Sequence, residues 1–562
     1  MFKKWGLLLL TLLISIVFAI MAVTPPAPKD LDTPADQFSS ARAMKDVAII
    51  AAKPHPTGSL ENEIVRDYLS DRLKALGMEV SLSESYLGER ALKRLNKWSG
   101  EAKTEQIIFN VIGVLPGEDR LKPAVLLMAH HDTVWGSPGA ADDTVGIASI
   151  LEIVGNLKQA GTQKRDLIIL FTDGEEVGLS GARDFFKNHP LRDKIGAVIN
   201  FEARGGGGTV NMFQTSAENG NVAKLYARTV KQPSASSLST YVYNVLPNDT
   251  DLTPALERDY AAYNIANLGD AKYYHSPKID AHALDEKTLQ HMGSQGLDLT
   301  RALLSADDLP AKKPDATFFD VFGMFTLIYA PFWGWIFLAF AAILGALSVK
   351  RKLNRKEIIS GCLKMLGFLL IGGALLSGLN SLSGGGRGAN YYDRLAAIPK
   401  LEWLALFLCL AVFFAIFGRK ASSGNTQLGA AIPLFLLALL GQFFAPTAAY
   451  FLTLPLFLRA AASFAVQRWP DGQISAVMAA ALTALVVGYM LSLEHLLMLG
   501  VGPDMLAVAI MPAAIAALAI LPLYAGLSKR GANSLAISGL AVSIGLALWI
   551  RLDPIASTVP LY

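Results

Sequence analysis

The pattern of hydrophobic and polar residues divides the chain into three parts. An unbroken apolar run extends from Trp5 to Val23, directly after Lys3 and Lys4. Short runs rich in valine and isoleucine then alternate with polar segments as far as residue 311, and long apolar runs fill the chain after residue 318. Because about 20 apolar residues are needed to span a bilayer as a helix, the first and last patterns predict membrane helices, and the middle one predicts a water-soluble domain.

The middle region, residues 30–311, has the pattern of an α/β domain. Three of its apolar runs, in PAVLLMAHHD, DLIILFTDGEE and GAVINFEARGG, are short, β-prone and end abruptly in polar residues. Amphipathic segments such as ENEIVRDYLSDRLKALG also occur in this region. Parallel strands covered by helices on both faces have this composition. We therefore predict a mainly parallel central sheet flanked by helices.

The C-terminal region, residues 318–562, is predicted to form an all-α membrane domain of about eight helices. Its apolar runs lie near residues 323–349, 358–380, 401–418, 427–444, 447–466, 474–492, 504–527 and 533–551. The N-terminal run adds a ninth span, which we expect to be an uncleaved signal anchor over residues 1–24. A cleaved signal peptide is the alternative, but the run is long for one and no clean small-residue cleavage site follows it.

Basic residues predict the orientation of these spans. Lys3 and Lys4 precede the first span, and the segment VKRKLNRK, Arg419 with Lys420, Arg468, and Lys529 with Arg530 follow in alternate loops. The positive-inside rule places these loops in the cytoplasm. We therefore expect a multi-pass membrane protein whose soluble domain is extracytoplasmic, either periplasmic or lumenal.

The composition supports the division into a soluble and a membrane part. Hydrophobic residues make up 52% of the 562 residues and charged residues only 17%. The chain has 50 lysines and arginines and 47 aspartates and glutamates. From Thr317 onward there are 16 of the basic residues and 8 of the acidic ones, so this part has a net charge of about +8. The preceding part has a net charge of about −5. A nucleic-acid partner is not expected, because the soluble part is mildly acidic and lacks a basic stripe.

Residues that can bind metals or transfer protons follow each of the three strand-like runs. Functional groups in an open parallel sheet gather beyond the carboxyl ends of the strands. A single acidic pair or histidine is more typical of a turn, a helix cap or a surface, but their occurrence at all three ends predicts a metal site. The candidates are His130, Asp132, Asp142, Asp143, Asp173, Glu175, Glu176, Glu202, Tyr274 and His275.

The mixture of imidazoles and carboxylates suits zinc. A catalytic zinc ion typically keeps three protein ligands and one open position, so two histidines and three carboxylates exceed what one ion requires. Two ions that share one carboxylate would use all five side chains and hold a hydroxide between them. A glutamate that is not a ligand is then needed to accept the proton of the attacking water and return it to the leaving amine.

These residues occur in five ordered motifs, AHHDTV, PGAADDTVGIA, FTDGEEVGLSGA, NFEARG and YHSP, within roughly residues 40–305. In this order the motifs resemble the zinc-dependent exopeptidases, a family that includes co-catalytic di-zinc aminopeptidases and glutamate carboxypeptidase. The earlier KPHPTGS and the attached spans further resemble the membrane-bound branch of the endoplasmic reticulum and the vacuole. The resemblance implies a membrane-bound zinc metallopeptidase with two Zn²⁺ per chain and a peptide substrate, and within the family an aminopeptidase is the more frequent type.

The resemblance also implies a role for each motif residue. Glu175 would be the general base, Asp132 would orient the first histidine, and Tyr274 would help to stabilise the oxyanion. Asp142 would bridge the two metals. The full set of implied ligands is His130, Asp142, Glu176, Glu202 and His275. The sequence departs from the family where Glu202 replaces the more frequent aspartate, and where Asp280 follows the last histidine by five residues instead of four.

Two other functions stay open at the level of the sequence. A single-zinc, glutaminyl cyclase-like acyltransferase would use the same fold, and a non-catalytic peptide-binding receptor or transporter would account for the large membrane domain. The presence of Glu175 together with both histidines and Asp142 favours the di-zinc peptidase. Neither the oligomeric state nor the peptide specificity follows from the sequence.

Overall fold

The chain divides into two compact units. The computed structural model describes residues 2–159, 161–349, 353–386, 390–470 and 472–553. One unit comprises Thr24–Ile328, and the other contains the N-terminal helix and the residues from Tyr329 onward. The boundary therefore lies after Ile328, later than the boundary expected from the sequence at 311–318. Residues 554–562 of the expected membrane domain lie outside the described residues.

The first unit is built on a seven-stranded sheet. Its strand order is β1-β2-β4-β3-β5-β7-β6, and β8 and β9 form a separate pair. The strands are β1 (Glu79–Tyr86), β2 (Ile107–Leu115), β3 (Ala124–His130), β4 (Leu167–Thr172), β5 (Ile195–Ala203), β6 (Gly207–Thr215), β7 (Ala261–Gly269), β8 (Thr317–Val321) and β9 (Phe325–Tyr329).

The centre of this sheet is parallel. Strands β4, β3, β5 and β7 run in one direction, and β2 and β6 pair with the outer two of them in the antiparallel sense. Strand β1 then pairs antiparallel with β2. The prediction of an α/β fold with a mainly parallel central sheet is confirmed. Because the four parallel strands end at the same edge, the loops that follow them meet there.

Helices cover both faces of the sheet. Those of this unit are α2 (Ser40–Ile50), α3 (Leu60–Ala75), α4 (Glu89–Ser99), α5 (Thr144–Gln159), α6 (Ser180–Asn188), α7 (Gly220–Thr229), α8 (Ser237–Val245), α9 (Leu252–Ala255) and α10 (Glu286–Ser305). In β3, Val125 and Leu127 belong to a core shared with α2, α3, α5 and α10, whereas Leu126 and Met128 belong to a second core with α6 and α9. Burial on both faces explains why this strand is apolar at every position before its final His130.

The second unit consists of helices, most of which are apolar. These are α1 (Phe2–Val23), α11 (Trp333–Leu347), α12 (Arg355–Leu382), α13 (Tyr391–Leu395), α14 (Ile398–Phe417), α15 (Gly424–Phe444), α16 (Tyr450–Arg468), α17 (Gln473–Val501), α18 (Ile510–Ile520) and α19 (Lys529–Leu552). Within the described ranges, eight helical segments are long and apolar enough to cross a membrane. Helix α11 is also apolar but has only 15 residues.

Two of the predicted spans differ from the helices of the structure. The span expected at 323–349 begins with strand β9, because Phe322 and Gly323 adopt left-handed φ angles of 54° and 72° and turn the chain back along β8. The run expected at 504–527 is interrupted near its start. A 3₁₀ segment over Pro503–Ala509 contains a non-helical residue, Met505, and α18 ends at Ile520.

Candidate metal centre

The five candidate ligands lie at the carboxyl edge of the parallel strands. His130 ends β3, Glu202 lies near the end of β5, and Glu176 and His275 follow β4 and β7. Asp142 lies in the loop between β3 and α5. Each side chain therefore comes from a different segment of the chain, and the parallel sheet brings the segments together.

Asp142 lies between the two histidines. Its Oδ1 atom is 3.0 Å from Nε2 of His130, and its Oδ2 atom is 3.2 Å from Nε2 of His275. Oε1 of Glu176 is also 3.2 Å from Nε2 of His275. One carboxylate thus faces both imidazoles through different oxygens, an arrangement that suits a carboxylate bridging two cations.

The donor atoms form three overlapping groups, and within each group the atoms lie within 4.8 Å of one another. One group contains His130, Asp142 and Glu202, and a second contains Asp142, Glu176 and His275. The third group contains His130, Glu175 and Glu176. The first two groups together supply three nitrogen or oxygen ligands to each of two ions, which fits the ligand number and type that catalytic zinc requires.

The electrostatics of the site also fit bound cations. Burial raises the pKa of Glu202 to about 8 and raises that of Glu176, because a carboxylate removed from water favours its neutral form. Burial would also raise the pKa of Asp142, but hydrogen bonds with His130 and His275 lower it instead. These shifts belong to the metal-free site. A dication between the same side chains would displace the protons and favour the ionised carboxylates.

Asp132 holds the ligand loop in place. Nδ1 of His130 is 2.8 Å from the main-chain oxygen of Asp132 and 3.6 Å from its carboxylate, which leaves Nε2 directed at Asp142. The carboxylate oxygens of Asp132 accept hydrogen bonds from the backbone N–H groups of Glu175 and Glu176, at 3.0 and 3.2 Å. Asp132 thereby fixes the orientation of a histidine and the position of the two glutamates at once.

Glu175 differs from the ligands in its surroundings. Its side chain is half-buried, whereas Glu176 is only 7% exposed. Burial raises the pKa of Glu175 well above its ordinary range. A carboxylate that is reachable from solvent and holds a proton readily has the properties of a general acid and base.

Tyr274 and the last histidine are stacked. The ring centroids of Tyr274 and His275 are 3.8 Å apart, with an angle of 29° between the ring planes. His275 has a left-handed φ of 55°, an uncommon conformation for a residue with a side chain. Burial raises the pKa of Tyr274, so its hydroxyl stays protonated and available as a donor.

Two polar residues beside this centre were not singled out from the sequence. The hydroxyl of Thr57 lies 3.1 Å from Oδ2 of Asp132 and 3.0 Å from Oδ1 of Asp173. Asp251, which is 1% exposed, accepts a hydrogen bond from Thr172 at the end of β4. Thr57 falls within the motif KPHPTGS, but neither residue has a spacing that would reveal its contact with strand ends far away in the sequence.

Comparisons with known proteins connect this centre to a peptidase family. The chain is 31% identical over 329 residues to the vacuolar membrane protease of Eremothecium gossypii, covering 55% of this chain and 32% of that protein. It is 30% identical over 296 residues to endoplasmic reticulum metallopeptidase 1 of Homo sapiens, covering 50% and 32%. The matched part thus spans about a third of the length of these relatives. A zinc aminopeptidase from Bacillus subtilis superposes with a TM-score of 0.39 at 13% identity, covering 50% of this chain and 98% of that structure.

The family model that matches is Peptidase family M28, over residues 110–300. This range contains all five candidate ligands together with Asp132, Glu175 and Tyr274. The resemblance to a metallopeptidase family that the ordered motifs predicted is therefore confirmed: residues 110–300 match the model of peptidase family M28.

Proposed function

We propose that this chain is a membrane-embedded zinc aminopeptidase with two zinc ions per chain. The ligands in this proposal are His130, Asp142, Glu176, Glu202 and His275. The observation that supports it most directly is the position of Asp142, whose two oxygens face two different histidines at 3.0 and 3.2 Å. A single-metal site would need only one of these contacts.

The chain's own residues move the protons of the reaction. When bound, zinc supplies Lewis acidity, which lowers the pKa of a water and polarises a carbonyl. Glu175 accepts the proton of the attacking water and delivers it to the nitrogen of the leaving group. Asp132 keeps the backbone of Glu175 fixed through a hydrogen bond of 3.0 Å, so the carboxylate meets the water without a prior rearrangement. Tyr274 donates a hydrogen bond from its hydroxyl to the oxyanion that develops on the substrate carbonyl, and it keeps its proton.

The charge of the site supports recognition of a free amino terminus. Seven carboxylates occupy this region, and two zinc ions leave an excess of negative charge even with the Arg204 guanidinium beside the Tyr274 ring, at 5.8 Å from its centroid. A substrate ammonium group is attracted to such a site, whereas a free substrate carboxylate is repelled. The carboxylates are Asp132, Asp142, Asp143, Glu175, Glu176, Glu202 and Asp251.

The membrane part of the proposal follows from the apolar helices. We place the peptidase domain between an N-terminal anchor and a multi-pass helical domain, with the catalytic side facing the periplasm or an organelle lumen. Eight helical segments of the described residues have the length and composition of spans. With the 15-residue helix α11 counted as a ninth span, basic residues cluster in alternate loops, which orients the peptidase domain away from the cytoplasm.

Matched peptides test the proposed activity. The full chain, purified in detergent, is incubated with one peptide sequence prepared with a free, an acetylated or an amidated end, with and without a chelator. An aminopeptidase shortens the free and amidated forms from the amino end and spares the acetylated form, and the chelator abolishes the reaction.

Each other product pattern identifies a different function. Cleavage that requires a free carboxyl end identifies a carboxypeptidase. Loss of ammonia from an amino-terminal glutamine, with one metal per chain, identifies a glutaminyl cyclase-like enzyme. Peptide binding by zinc-loaded protein without any product identifies a receptor or transporter.

A further inference from the structure

Helix α12 carries a groove on one of its faces. The groove has a volume of about 540 Å³ and lies against the end of α14, where Ile416 contributes to its wall. Seven of its eight lining residues belong to α12, and each of these lies three or four positions from at least one other. Residues with this spacing share one face of a helix, so the groove runs lengthwise along α12.

Both lysines of the groove lie in the half that is next to the start of α12. Lys356, Ser360 and Lys364 line the part next to the start of α12, and the continuation toward Gly367 and Ile371 is apolar. Ile371 is 53% exposed. A molecule that fills the groove must therefore combine an anionic group with a hydrocarbon chain, and the chain must extend from that group along the axis of α12.

The two lysines are available to an anion. Within the part of the chain that the structure describes, no ion pair involves Lys356 or Lys364. Nζ of Lys364 lies 5.8 Å from the centroid of the Phe417 ring. The neighbouring acid, Glu357, accepts a hydrogen bond from the hydroxyl of Ser423 instead.

The length of the groove matches one leaflet of a bilayer. Fifteen residues separate Lys356 from Ile371, which corresponds to about 22 Å at the helical rise. Half of a bilayer, with its headgroup region, measures about 20–22 Å. A phospholipid that enters with its phosphate at the lysines would extend its acyl chain to the far end of the groove.

We propose that this groove is a binding site for an anionic phospholipid of the surrounding bilayer. The proposal rests on the membrane embedding described under the proposed function, but not on peptide cleavage. Each lysine near a negatively charged headgroup favours binding about fivefold, so the pair favours an anionic over a zwitterionic lipid about thirtyfold. Gly367 keeps the groove open, because a Cβ built there meets only Ile416, at 3.8 Å.

Lipid retention tests the site. The full chain is reconstituted in bilayers of equal parts phosphatidylglycerol and phosphatidylcholine, extracted in mild detergent, and analysed by native mass spectrometry. We expect the unaltered chain to retain phosphatidylglycerol. In the double variant Lys356→Gln/Lys364→Gln, the enrichment of phosphatidylglycerol over phosphatidylcholine should fall about thirtyfold. A similar fall is expected in Gly367→Leu, which fills the groove without changing the charge. The matched control is Lys529→Gln/Arg530→Gln, which removes the same charge from the start of α19 and should keep the lipid.

Three results would overturn the proposal: no phosphatidylglycerol enrichment in the unaltered chain, full retention by either groove variant, or an equal loss in the control. A second copy or another protein in the groove would appear as a heavier species without bound lipid, which also overturns it. Peptide cleavage is measured on the same preparations and should not change in any variant. Loss of cleavage by all samples would count against the peptidase proposal and leave the lipid result to be judged separately.

Discussion

At the scale of single residues, the candidate centre depends on side chains that surround the ligands. Asp132 is 1% exposed. Its carboxylate accepts hydrogen bonds from the backbone N–H groups of Glu175 and Glu176 and lies within hydrogen-bonding distance of the Thr57 hydroxyl. Glu175 stands beside the candidate ligands, with its backbone N–H held by Asp132 and its side chain half-buried. Under the proposed function, positioning and proton transfer belong to residues other than the proposed metal ligands, and each role has its own signature in a variant.

Replacing Glu175 with glutamine should separate chemistry from metal binding. The amide keeps the size of the side chain but cannot accept the proton of the attacking water, so we expect turnover to fall by about 10²–10⁴. The zinc content of the purified variant should stay at two per chain, measured by elemental analysis. Unchanged turnover would remove Glu175 from its role as the base, and loss of zinc would make it a ligand instead.

Replacing Asp132 with asparagine should weaken zinc binding. An amide group can accept only one of the two backbone hydrogen bonds from Glu175 and Glu176, and its N–H₂ group would face the other donor. We expect the affinity for zinc, measured by competition with a chromophoric chelator, to fall by about 10–100-fold. Thr57→Val is the matched control, since it removes a single hydrogen-bond partner and should cost less than about tenfold. Equal affinities in all three proteins would contradict the positioning role of Asp132.

At the scale of elements, the loop that carries Asp142 is fixed by its contact with the first turn of helix α5. The first turn of α5 packs against Asp143, whose Oδ1 accepts a hydrogen bond of 3.3 Å from the N–H of Gly146. A Cβ built on Gly146 would lie 2.6 Å from both carboxylate oxygens of Asp143. The loop that carries Asp142 therefore approaches the helix as closely as it does only because residue 146 has no side chain.

The variant Gly146→Ala should disturb this contact. The added methyl group must displace the Asp143 carboxylate, so we expect a destabilisation of about 1–3 kcal/mol and lower zinc occupancy. Gly155→Ala is the control within the same helix, because its Cβ meets only Leu76, at 3.8 Å. That variant should be neutral or slightly stabilising. Chemical unfolding and elemental analysis distinguish the two, and a neutral Gly146→Ala would show that the loop can relax.

At the scale of the whole molecule, the chain joins an acidic sheet-containing unit to a bundle of apolar helices. Under the proposed function, a bound metal affects the stability of the first unit through its buried acids. In the metal-free site, the pKa of Glu202 rises from an ordinary value of 4.5 to about 8. The folded state then keeps a proton that the unfolded chain has lost between these pH values, so the free energy of unfolding falls as the pH rises from about 4.5 to about 8. The raised pKa values of His130 and His275 act in the same direction.

Chelation should therefore destabilise the sheet-containing unit more at pH 8 than at pH 5. Hydrogen exchange of peptides from β3 and β5, measured on the full chain with and without chelator across this range, reports the local free energy of opening. Glu202→Gln is the control, because it removes the carboxylate whose pKa rises to about 8 and should flatten the pH dependence of the metal-free protein. A chelator effect of equal size at every pH would show that the buried acids are not the source.

The local pattern of the sequence was sufficient for much of the fold. Strands β3, β4 and β5 follow from their short apolar runs, and confirmation of the α/β fold rests on them. Local pattern was less reliable where a turn interrupts an apolar run. Strand β9 was expected to be the start of a span, because its residues continue the apolar run that follows them, whereas the left-handed turn at Phe322 and Gly323 pairs it with β8.

By itself, the sequence determined the type of each main element, the order of the five motifs and the residue types that can hold zinc, because these depend on chemistry within a few neighbouring positions. Their roles as ligands stay a prediction. The tertiary structure alone decided that Thr57 meets Asp132 and that Asp251 meets Thr172, across 75 and 79 positions of the chain. Such contacts depend on strand order and on how loops cross the edge of the sheet, and the local hydrophobic period contains no information about either.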